Sequence, residues 1–79
     1  MTVKVRVFGY LKEYCRDFGL DERSVTLPEP STAKELLGLL GIPENEDLLL
    51  VVNQKVHTER GMVLARNDTV WVYPLMCEG

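Results

Sequence analysis

The sequence is poor in the residue types from which active sites are usually built. Among its 79 residues there is one histidine, His57, and there are two cysteines, Cys15 and Cys77. No recognisable catalytic pattern of acid and nucleophile surrounds His57 in the sequence to make it a general base, so it reads as an ordinary residue of a short surface strand. Cys15, His57 and Cys77 lie too far apart in the chain to show a metal-ligand spacing. The acidic run at Glu44, Glu46 and Asp47 lacks the alternating carboxylates and closing glutamate of a calcium loop, and reads as a solvated connection. The glycines never assemble into a phosphate-binding spacing.

Charge and hydropathy exclude more. The nine Lys and Arg are scattered and the net charge is −3, which weighs against a nucleic-acid partner. The longest apolar run, Leu48 to Val52, is far short of a membrane span, and Lys4 and Arg6 interrupt the place where a signal peptide would carry its apolar segment. These features predict a soluble, cytoplasmic protein with free thiols rather than a disulfide. Cys15 falls on the apolar side of a predicted helix and reads as a small core hydrophobe; Cys77 stands in a short tail and reads as an accessible thiol.

What is present is a set of short periodic segments shared by a composition that is 46% hydrophobic. A chain of this length holds one core, so residues 1–79 read as a single domain. Val3, Val5 and Val7 alternate with Lys4, Arg6 and Phe8 in a half-buried strand. After Gly9, the spacing of Leu11, Tyr14, Cys15 and Phe18 predicts a short amphipathic helix closed by Gly19. Ser24 to Leu27 reads as a brief strand stopped by Pro28 and Pro30. In STAKELLGLLG, Thr32 and Glu35 form a capping box, Ala33, Leu36, Leu37 and Leu40 make the apolar stripe, and Gly41 and Pro43 end the helix.

LLLVV is apolar on both faces and predicts a central strand. Asn53 and Gln54 turn the chain into a short return strand at Val56 and His57; Arg66, Asn67 and Asp68 form a further turn; Thr69 to Tyr73 is the last strand. The expected architecture is α+β, a mixed sheet of about five strands packed on one main helix, with a second short helix. If Val70 and Val72 face that helix, Trp71 and Tyr73 face out, as do Lys4 and Arg6. Should the first and last strands be neighbours, aromatic rings and cationic stems share one exposed surface suited to a protein partner.

The segments VKVRVFGYLKEY, LLLVVNQKV and LARNDTVWVYPL, followed by a terminal glycine, stand in the order seen in one family. Over essentially its whole length the chain resembles the MoaD/ThiS family of ubiquitin-like sulfur carriers, which includes the small subunit of molybdopterin synthase. The resemblance implies a β-grasp fold with a flexible tail over residues 74–79, and a working group at Gly79. In that family an ATP-dependent activating enzyme adenylates the terminal glycine carboxylate, sulfur replaces one oxygen to give a thiocarboxylate, and the carrier donates it within a larger sulfur-acceptor enzyme. The resemblance therefore implies a non-catalytic carrier without a cofactor of its own, in a molybdopterin-type pathway, with a monomer expected for the isolated chain.

A terminal glycine enters a narrow channel because it has no Cβ. Pro74 is expected to stiffen the departure of the tail from the sheet, and Leu75 and Met76 to supply apolar anchors. The chain departs from the family pattern at its end, where Cys77, Glu78 and Gly79 replace a paired glycine. Glu78 brings bulk and negative charge to a carboxylate that must approach ATP; at an effective dielectric of ~20, two such charges ~5 Å apart repel by roughly 3 kcal/mol before screening. A second class of function stays open on that ground: a ubiquitin-like interaction module or accessory subunit that is never activated. Cys77, two residues from the terminal carboxylate, is a candidate sulfur relay within the carrier reading.

Overall fold

The computed structural model describes residues 1–15 and 22–75. The first strand, β1 (Thr2–Val7), buries Val3, Val5 and Val7 and exposes the residues between them. This is the period-2 alternation of a sheet with one covered face. After Gly9, the chain makes a 3₁₀ helix, Gly9–Tyr14, instead of the α-helix that the sequence spacing predicts. A turn of three residues breaks the 3.6-residue stripe. Leu11 is the one buried residue of this helix, Cys15 is half-buried against the core, and Tyr14 is exposed with its hydroxyl on the Glu46 carboxylate. The expected continuation at Phe18 and Gly19 lies outside the described residues.

β2 (Arg23–Thr26) runs antiparallel to β1, with Val3 opposite Val25. Leu27 leaves the strand and is buried. Two residues, β3 (Ser31–Thr32), pair with β6 (Val63–Leu64) in a small second sheet. Strands of this length are too short to show alternation, and the sequence pattern contains no sign of them. The pair has a purpose in the fold, because it brings residues 60–62 over the start of α1 (Ala33–Leu40). There Ala33 N–H donates to Met62 O at 3.0 Å and Lys34 N–H to Arg60 O at 2.8 Å, which satisfies amides that a helix start leaves without partners.

α1 follows its sequence signals closely. Thr32 Oγ1 accepts from Glu35 N–H at 3.3 Å while Glu35 Oε1 accepts from Thr32 N–H at 2.8 Å, the reciprocal capping box. Gly41 closes the helix at φ 84°, a left-handed conformation that glycine adopts without the Cβ penalty. Ala33, Leu36, Leu37 and Leu40 are its buried residues.

β4 (Leu48–Val52) and β5 (Lys55–His57) form a hairpin across Asn53 and Gln54, at φ 51° and 71°. Positive φ at both central residues matches the twist of the flanking strands. The Asn53 side chain then joins this turn to the next, donating to Asp68 Oδ1 at 2.8 Å and accepting from Thr69 N–H at 3.0 Å. β7 (Thr69–Pro74) runs between β1 and β4, parallel to the first and antiparallel to the second. The main sheet has the order β2-β1-β7-β4-β5, and valines and leucines of its inner face join the α1 stripe in one buried cluster. This is a β-grasp arrangement, as expected.

The two faces of α1 are energetically distinct. Leu36 is fully buried whereas Leu39 is 63% exposed. Leu36→Ala is expected to cost about 2–5 kcal/mol and Leu39→Ala less than about 0.5 kcal/mol, measured as the shift in the urea unfolding midpoint at constant slope.

Candidate functional site

The parallel pairing of β1 with β7 sets Arg6 opposite Trp71, and the alternation of each strand turns both away from α1. Phe8 continues that outer face, held by its N–H on Val72 O at 2.9 Å. Its ring stacks on Tyr73 with centroids 4.3 Å apart and planes 5° from parallel, and meets the Trp71 ring edge-on at 6.3 Å. The Arg6 guanidinium carbon lies 5.0 Å from the Phe8 centroid, within cation–π range. The expected meeting of aromatic and cationic side chains on one surface is therefore present, with Phe8 rather than Trp71 under the cation.

β4 widens this surface. Leu49 lies opposite Tyr73 and Val51 opposite Trp71, and beyond Val51 is Val56, which is largely exposed. Phe8, Leu49, Val51, Trp71 and Tyr73 are all half-buried although, among the described residues, no element covers them. The indole Nε1 of Trp71 is shielded from solvent and has no hydrogen-bond partner among the described residues. Phe8, Leu49, Val51 and Val56 were not among the residues singled out from the sequence. The signal was available in the two-faced apolar run of LLLVV, whose outer positions must face something.

The exit of the chain from the sheet differs from expectation at Pro74. This residue is the last of β7, opposite Leu48, and not the first of a departing tail. Its ring packs on Gly9, where a Cβ would stand 2.7 Å from Pro74 Cγ. Gly9 also has φ +65°, so both close approach and backbone conformation require glycine there. Leu75, 58% exposed, donates its N–H to Asp47 O at 3.2 Å. Met76, Cys77, Glu78 and Gly79 lie outside the described residues.

The Glu44–Asp47 connection, expected to be a solvated loop, is bound from two sides. Tyr10 and Tyr14 donate their hydroxyls to the two Glu46 carboxylate oxygens at 2.9 and 2.7 Å. The Arg60 guanidinium donates to Glu44 O at 2.7 Å and to Glu46 O. Donation to the carboxylate, with smaller contributions from desolvation and the Glu46 charge, raises both phenols above their ordinary pKa. Neutral phenol is the form that can donate.

The remaining candidates carry little chemistry. The Cys15 thiol, raised by desolvation, rests 3.6 Å from Leu11 O and packs against the core, the setting of an unreactive cysteine. His57 is half-buried on β5 at the sheet edge. Among the described residues no group of three His, Cys, Asp or Glu side chains converges, and no helix is long and apolar enough to cross a membrane.

No protein-family model matches the sequence, and no curated protein matches it significantly. Solved structures match its fold along nearly the whole chain. A Pyrococcus furiosus protein, assigned by inference as molybdopterin converting factor, subunit 1, is similar at TM-score 0.70 and 24% identity, covering 94% of this chain and 97% of its own. Small archaeal modifier protein 1 of Haloferax volcanii is similar at TM-score 0.69 and 16% identity, over 92% of this chain and 95% of that one. The complex of subunits 1 and 2 of molybdopterin-converting factor from Helicobacter pylori 26695 contains a chain similar at TM-score 0.65 and 23% identity, with both chains fully covered. These neighbours are of the kind to which the sequence resemblance pointed, and they share with this chain the ubiquitin-like β-grasp fold.

The phenol–carboxylate contacts have a pH signature. Because the folded state raises both phenols, their contribution to stability is complete below the unfolded value of about 10 and is lost as pH rises through the higher folded values. Glu46→Gln removes the acceptor charge and is expected to move the alkaline titration of Tyr10 and Tyr14 downward, measured by tyrosinate absorbance.

Proposed function

We propose that the chain is a sulfur carrier of the molybdopterin type, whose Gly79 carboxylate is activated and converted to a thiocarboxylate by partner enzymes. The observation that carries this reading is the double use of β7. One strand supplies Trp71 and Tyr73 to an aromatic face that no described element covers, and ends at Pro74, followed by exposed Leu75, four residues before Gly79. The face is suited to docking, and the strand that builds it leads directly toward the residue to be activated.

In the first step a carboxylate oxygen of Gly79 attacks the α-phosphorus of ATP, pyrophosphate leaves, and an acyl adenylate forms. A hydrosulfide-equivalent nucleophile then attacks the acyl carbon, the acyl C–O bond breaks so that AMP leaves with the bridging oxygen and its electron pair, and a proton is released as the thiocarboxylate forms. Both steps are catalysed by the activating enzyme. The carrier contributes docking through Arg6, Phe8, Trp71 and Tyr73, anchoring through Leu75 and Met76, and a terminus narrow enough to reach the nucleotide. Glycine at the end and a rigid strand before it divide those tasks between adjacent segments. The Helicobacter pylori complex of subunits 1 and 2 supports a second protein partner, which in this reading accepts the sulfur.

Glu78 favours a second reading, in which the domain docks by the same face but is never activated. The two readings part on the intact mass of the chain after incubation with an activating enzyme, ATP and a sulfur donor. A carrier gains the oxygen-to-sulfur difference at its terminus; an unchanged mass, with the enzyme shown active on another carrier, would sink the carrier reading. Within it, Glu78→Gly is expected to raise the adenylation rate, with the gain shrinking as ionic strength rises. Cys77→Ser leaves thiocarboxylate formation unchanged unless the thiol relays sulfur. Trp71→Ala is expected to weaken partner binding by about 30-fold or more, the size of a central aromatic contact, as measured by titration calorimetry.

A further inference from the structure

We propose that Tyr10, Tyr14 and Arg60 are positioning residues: through the Glu44–Asp47 loop they form a clasp that fixes where β7 ends and the tail begins. The assignment of a use to this clasp rests on the carrier reading; its geometry does not. Pro74 has no amide hydrogen, so Leu75 N–H is the next donor available to hold the chain, and its acceptor is Asp47 O. That carbonyl belongs to a surface loop, a class of segment more mobile than the elements it connects. Its preceding residue is gripped at both carboxylate oxygens by phenols and at its carbonyl by a guanidinium.

The gripping groups come from different parts of the chain. Tyr10 and Tyr14 stand on the 3₁₀ helix that begins at Gly9, and Gly9 receives the Pro74 ring. Arg60 comes from the segment whose carbonyl also accepts from the start of α1. The circuit therefore closes: Gly9 on Pro74, the phenols on Glu46, Asp47 on Leu75. Charge-assisted donation to an ionised carboxylate is among the stronger hydrogen-bond types, and two donors on its two oxygens also fix its orientation.

Such a clasp sets the reach of the terminus. Four residues beyond Leu75 span at most about 14 Å when extended, so a partner that binds the sheet face must hold its nucleotide within that radius. Freeing Leu75 lengthens the tether and leaves more backbone to be ordered at each encounter. Docking through the sheet face is unchanged, because Arg6, Phe8, Trp71 and Tyr73 are not part of the clasp and the Leu75 side chain is retained, whereas productive placement of the carboxylate falls. The clasp is thus a preorganising element for the chemical step rather than a contact surface.

The test uses the full chain carrying Tyr10→Phe and Tyr14→Phe, which removes the hydroxyls and keeps the rings. Amide hydrogen exchange by NMR is expected to accelerate at Leu75 by up to about tenfold, the worth of one net hydrogen bond, with Val70 and Leu50 unchanged. Unchanged Leu75 exchange overturns the clasp. If the double variant loses core protection, Glu46→Gln and each single variant are read in the same way.

With an activating enzyme, ATP–pyrophosphate exchange is expected to show a several-fold lower kcat (~3- to 10-fold, from the same hydrogen-bond worth) at unchanged KM. A raised KM at unchanged kcat, or no kinetic change despite a released Leu75, overturns the positioning role. An absence of adenylation in the unaltered chain sinks the carrier reading instead, and the clasp then stands or falls on Leu75 exchange alone.

Discussion

The parallel pairing of β1 with β7 is the constraint on which the remaining structure depends. It joins Lys4 to Thr69 and Val7 to Val72 across nearly the whole described chain, the kind of non-local contact whose loop-closure entropy must be offset before other contacts form. Everything between these strands is the crossover that a parallel pair requires. α1 lies within that crossover, and its four buried residues complete the core that the valines of the two strands begin. Breaking the pair would separate the core-forming faces, the aromatic surface and the exit of the chain together.

One strand carries all three. β7 buries Val70 and Val72, presents Trp71 and Tyr73 on the opposite face, and ends with Pro74 packed on Gly9. Strand periodicity makes this economy possible, because successive side chains point to opposite faces at no cost in chain length. It also means that the aromatic face cannot shift relative to the exit without moving the core. In the proposed carrier reading, that rigidity keeps the start of the tail at a fixed distance from the aromatic face.

Much of this was legible along the chain. The capping box of Thr32 and Glu35, the αL stop at Gly41, the alternation of β1 and β7 and the turn at Asn53 and Gln54 arise from interactions within a few residues, so local spacing encodes them. The outward placement of Arg6, Trp71 and Tyr73 followed from parity alone. The α-helical spacing of Leu11, Tyr14, Cys15 and Phe18 misled, because an apolar spacing cannot tell a 3₁₀ turn from an α-helix when the hydroxyl of one member has a distant carboxylate to meet. Pro74 misled for a related reason: lack of an amide argues against a ladder position, but an edge of the pairing with a glycine beside it accommodates the ring. The short pair of β3 and β6 left no pattern at all.

Sequence by itself determined the fold class, the faces of each main element and the absence of conventional catalytic spacing, since each depends on periodicity, capping or residue type at short range. Tertiary structure decided which faces meet. Phe8 lies on Tyr73 because β1 and β7 are neighbours in register, and Glu46 takes two phenols because the 3₁₀ helix and the loop before β4 converge from 32 and 36 residues apart. Such contacts have no local period to betray them; they exist only once chain closure has been achieved and burial has chosen a single register.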